Sequence, residues 1–171
     1  MDKNTKLYNV IFPFWLLIIF PLTWLIVLPA NFIIDLLVVF FTLKFLKVEN
    51  RKPIIKKVIL KVWVMGFVAD IIGSILMFAV ACMMETSNEA FDDWWYSNVT
   101  NSVCYNPFEN IFGFLVVTVF VAFVGFLIYE INFRWCLKKA DLTVEHKKRV
   151  ALNLAFFTAP YLYYLPTMWF Y

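Results

Sequence analysis

The chain has 171 residues, of which 63% are hydrophobic and 20% aromatic, with a mean hydropathy of +0.78 and a net charge of +3. A soluble domain is about 45–50% apolar, and one aqueous core of this size cannot hide such an excess. The composition therefore excludes an ordinary water-soluble domain and predicts a single all-α integral membrane domain over residues 1–171.

The first element sets the rest. Residues 10–43 form a run of 34 in which Asp35 is the only charge. One straight helix of that length would reach about 51 Å, against a hydrocarbon core of about 30 Å. The run must turn back, and Pro29 is the expected place. Proline cannot donate and disfavours the helical region for the residue before it, and Asn31 is a good N-cap for a second helix. Two crossings are expected, over 8–28 and 31–46, joined by a very tight turn at Pro29. The alternative is four crossings plus a re-entrant N-terminal segment. A cleaved signal is not expected, because the 19 apolar residues of 10–28 exceed a signal's apolar core.

A basic stretch comes next, with Pro53 in the first turn of the following helix. The third crossing is predicted over 58–84. Gly66, Asp70, Gly73, Ser74, Met77 and Ala81 share one of its faces. Small residues let helices approach closely, so that face should point into the bundle. Residues 85–110 hold five acids and no Lys or Arg. They read as an outer loop with a short amphipathic interfacial helix over 87–96, ending on Trp94, Trp95 and Tyr96.

A fourth crossing is predicted over 108–133, with Glu130 near one end. A second basic loop leads to a fifth over 150–169, in which Ala151, Ala155 and Ala159 form a small-residue stripe and Pro160 and Pro166 kink or end the helix. With five crossings, all 15 Lys and Arg fall on one side. The positive-inside rule then predicts a multi-pass protein of the cell membrane, N-terminus cytoplasmic and C-terminus outside.

Enzyme motifs are absent. There is no HExxH, no GxSxG and no phosphate-binding glycine loop, and one histidine cannot build a zinc site. Paired carboxylates also serve aspartyl proteolysis, but Asp70 stands in Val68-Ala69-Asp70, without flanking glycines. No catalytic residue, cofactor, metal site or nucleic-acid partner is expected. Cys82 and Cys104 fall on the outer side and form a candidate disulfide.

The candidate site residues are the polar groups at membrane depth: Asp70, Asp35, Asn31, Glu130 and Asn153. A charge there costs at least about 2.5–3.5 kcal/mol and usually marks a pathway or a structural pair. Asp70 must be neutral, paired or wet. Two functions fit. One is transport- or channel-like, with the acids lining a cavity that water reaches. The other is a non-catalytic structural, immunity or assembly subunit that packs against a membrane partner or a second copy, with Ala151, Ala155 and Ala159 left uncovered in the monomer. Membrane lipids are the expected partners in either case.

Overall fold

The computed structural model describes residues 21–82 and 86–170. Among them the chain is all-helical. The helices are α1 (Pro21–Phe45), α2 (Arg51–Cys82), α3 (Glu89–Trp95), α4 (Asn101–Tyr105), α5 (Ile111–Ile131) and α6 (Val144–Phe157). One π turn, Tyr96–Thr100, joins α3 to α4, and another, Asn132–Cys136, extends α5. Two short 3-10 turns, Tyr161–Tyr164 and Thr167–Phe170, come after α6. Three segments are long and apolar enough to cross a membrane: Leu25–Phe45, Arg51–Ala81 and Ile111–Cys136.

α1 corrects the first expectation. Pro29 lies inside the helix and does not turn the chain. A helical proline costs about 3 kcal/mol. A reverse turn at the same point would free up to four donors and four acceptors, each expensive where no water reaches. Leu25, Ile26, Ile33 and Ile34 offer those groups no partner. Continuing the helix is the smaller loss, and the Pro29 ring sits on an exposed face. The Trp63 indole adds support, donating to the Leu28 carbonyl at 3.0 Å. The crossings expected over 8–28 and 31–46 are thus not separated at Pro29, and residues 1–20 of the first lie outside those described.

α1 ends without glycine. Lys47 takes φ 54°. The Lys47 amide donates to the Lys44 carbonyl and the Val48 amide to the Leu43 carbonyl, both at 3.1 Å. This is the paired-bond helix stop in which a left-handed residue satisfies the last carbonyls. The chain turns directly into α2.

Residues 89–105 carry more helix than expected: α3 falls within the short helix expected over 87–96, and the helical path continues through the π turn and α4 to Tyr105, where a loop is expected. The Asn88 side chain caps the Ala90 and Phe91 amides, and Asp92 accepts from the Thr86 amide and hydroxyl. Val99, Ser102 and Val103 are buried on the inner side, which gives the segment the apolar support that its acids conceal.

The main helices close a ring, in which α2 packs on α1 and α5 while α6 packs on the same two. Alternating direction around the ring makes an up-and-down bundle. The expected inner face of α2 is the one that is buried: Gly73 and Ser74 are covered, and Met77 and Ala81 are 0% and 1% exposed. α5 places Val117, Val121, Val124 and Ile128 against it. The α1–α2 turn and residues 132–149 share one end of the bundle, which carries the Lys and Arg. The other end carries Glu89, Asp92, Asp93 and Glu109 and, among the described residues, no basic side chain.

In the last segment the helix expected over 150–169 ends at Phe157, just before Pro160, where a kink or an end is expected. α6 starts at the basic end, where Thr143 caps it by accepting from the His146 amide at 3.2 Å. At Thr158 the backbone leaves the helix (φ −117°, ψ 12°). The two 3-10 turns complete the passage, and Thr167 Oγ1 donates to the Cys104 carbonyl at 2.6 Å at the acidic end. The segment expected as a fifth helix over 150–169 thus traverses the bundle as a helix broken near its middle. Its alanine stripe is spent inside the chain. Ala151 is fully buried, and Ala155 and Ala159 pack on the core, where Gly125 of α5 lets them close in.

Candidate functional site

The break in the last segment faces a cavity of about 600 Å³. One wall is α1, with Asn31 and Asp35. A second is α2, with Trp63, Gly66 and Asp70. The third is the non-helical backbone from Thr158 to Pro166. Ile26, Tyr161 and Leu162 at its edge are exposed, so the cavity opens at the surface.

Asp35 and Asp70 reach this space from facing helices. Asp35 is 6% exposed. Its Oδ2 lies against Gly66, where an added Cβ would stand 3.9 Å away. Gly66 is one turn before Asp70 on the same face of α2, so both acids line the α1–α2 side of the cavity. Among the described residues neither forms an ion pair, and Asp70 Oδ1 is buried without a hydrogen-bond partner.

Tyr163 holds the broken segment in place. It is 1% exposed. Its hydroxyl donates to the Asp70 carbonyl at 2.8 Å and accepts from Ser74 Oγ at 2.9 Å. This close docking needs Gly73, where a Cβ would fall 3.0 Å from the Tyr163 hydroxyl and 2.1 Å from Val124 Cγ2. Side chains bond the last carbonyls of α6: the Phe156 carbonyl loses its helical donor to Pro160, while the Leu154 carbonyl keeps the Thr158 amide at 2.9 Å. Thr158 Oγ1 donates to Leu154 at 2.8 Å, and the Tyr161 hydroxyl to Phe156 at 2.5 Å. Tyr164 donates to Thr118 Oγ1 of α5 at 2.9 Å.

Of the residues expected at a site, Asp35, Asp70 and Asn31 are brought together here, and the other two are elsewhere. Asn153 donates to Thr42 Oγ1 at 2.9 Å and lines a separate cavity of about 540 Å³ beside Lys148 and Arg149. Glu130 pairs with Arg134 one turn on, at the basic end. The candidate Cys82–Cys104 disulfide rests on the Cys82 side chain, which lies outside the described residues. Sequence reasoning marks Pro160 and Pro166 as a kink or end, but it does not single out Trp63 or Tyr163 or place 158–166 at the wall of a cavity. The available signal is Pro160 and Pro166 bracketing a tyrosine cluster.

Comparison of the chain with protein-family profiles, with characterised proteins and with solved structures yields no match.

Proposed function

We propose that this chain is a multi-pass integral membrane protein of transport type, in which Asp35 and Asp70 are the polar stations of a pathway for a proton, a cation or a polar solute. One observation carries the reading: a broken segment and two acids with no ion-pair partner among the described residues meet at the same cavity. Irregular backbone at membrane depth is tolerated only where protein buries it or a wet cavity lies beside it. Discontinuous helices at the bundle's midplane are where transporters bind substrates and coupling ions. Acids in such segments usually serve a pathway or a pair, and here no basic partner lies beside them among the described residues.

The end holding every Lys and Arg from Lys44 to Arg149 then faces the cytoplasm by the positive-inside rule, and that end would lie at the anionic headgroups. The acidic end and the last 3-10 turn face outward. The N-terminal arm, with Lys3 and Lys6, lies outside the described residues.

The test is flux. Protein reconstituted in liposomes that enclose a pH-sensitive dye should move protons when a proton or cation gradient is imposed. Asp70→Asn, which keeps size and most hydrogen bonding, should abolish that flux with unchanged circular dichroism and elution volume. Full flux through a folded Asp70→Asn protein would overturn the reading.

A further inference from the structure

We infer that the cavity between α1, α2 and the broken C-terminal segment takes a lipophilic organic cation. The inference rests on the transport reading above and names its substrate class. Three features of the cavity carry it.

The first is charge. The lining contains two carboxyl groups and, among the described residues, no Lys, Arg or His. Its electrostatics therefore favour a cation and reject an anion.

The second is the character of the remaining surface. Eight of the 22 lining residues are aromatic, Trp63, Phe67, Phe157 and Tyr161 among them. Aromatic faces attract cations through the ring quadrupole, the more strongly the less water lies between them. A metal ion such as Ca²⁺ needs six to eight oxygen ligands. The acids here are flanked instead by rings and aliphatic side chains, which suit an ammonium or phosphonium clothed in hydrocarbon.

The third is size. Cavities of about 300–1,000 Å³ accommodate drug-sized molecules, and this one, at about 600 Å³, falls inside that range. Gly66 contributes by leaving open the space over Asp35 Oδ2. The exposed apolar rim, with Ile26 at 76% and Leu162 at 52%, offers such a molecule an entry along an apolar surface.

Tetraphenylphosphonium is the probe. Its binding to the purified full chain in lipid nanodiscs, measured by tryptophan quenching and by equilibrium dialysis of the labelled compound, should be saturable. Asp70→Asn should weaken it at least about tenfold, the scale of a lost charge-assisted contact. Tetraphenylborate, of matching shape and opposite charge, should not bind saturably. Gly66→Leu keeps both acids and fills the space beside Asp35, and it too should reduce binding at least about tenfold. It serves as the second variant should Asp70→Asn not fold.

The outcomes separate the two proposals. Asp70-dependent proton flux, together with no saturable phosphonium binding, or binding that neither variant weakens, overturns the organic-cation inference and leaves the transport reading standing. Neither flux nor binding overturns both. Equal binding of tetraphenylborate shows an apolar pocket without charge selection and also overturns the inference.

Discussion

Pro29 and Pro160 are the same residue with opposite results. α1 runs through Pro29 as one helix, whereas the last segment abandons its helix at 158–160. The intrinsic cost of a helical proline, about 3 kcal/mol, is the same at both sites and cannot explain the difference. The neighbours can. Around Pro29 the helix presents apolar side chains, and among the described residues Trp63 alone donates to the backbone there. Around Pro160 the Phe156 carbonyl, which loses its helical donor there, is taken by the Tyr161 hydroxyl, and Tyr163 ties the displaced chain to α2. A helix in apolar surroundings breaks where side chains stand ready to receive the groups the break releases.

The largest expected effect attacks the docking of the broken segment. Gly73→Ala places a Cβ 2.1 Å from Val124 Cγ2 and 3.0 Å from the Tyr163 hydroxyl, and Val124 is stiff and fully buried. The variant should lose about 3 kcal/mol of stability, seen as a lower midpoint in detergent unfolding. An unchanged midpoint would mean that the segment is not held through Tyr163. The prolines themselves come next. Pro29→Ala restores a backbone donor inside a helix that already continues, and should gain about 2 kcal/mol. Pro160→Ala acts where the helix has already ended and side chains hold the break, so it restores no helical hydrogen bond and should bring no gain in stability. Equal effects at the two sites would dissolve the contrast.

How far the sequence can be read depends on the same contrast. The inner face of α2 is legible because Gly66, Asp70, Gly73 and Ser74 recur at helical spacing, and small residues at that spacing have one use in a bundle. The acids are legible as well, since an aspartate in an apolar run is conspicuous. Pro29 misleads because local propensity favours a turn there, while the cost of freeing the backbone depends on what surrounds it. The short helix over 87–96 is legible from Trp94, Trp95 and Tyr96, but its continuation to 105 is not, because the burial of Val99 and Val103 depends on packing against α5. The cavity wall from 158 to 166 is illegible for a third reason. Tyr163 bonds to the Asp70 carbonyl 93 residues away, and no local pattern announces such a partner.

The central claim is that the break at 158–160 borders a cavity reached by water, and thiol labelling tests it most directly. Ala159→Cys, in a chain whose Cys82, Cys104 and Cys136 are replaced by serine or alanine, should react with a membrane-impermeant methanethiosulfonate in intact vesicles. Its rate should approach that of the exposed Asp93→Cys, while Val117→Cys, at 0% exposure in α5, stays unmodified. An Ala159→Cys as unreactive as Val117→Cys would show a dry, closed break and contradict the account.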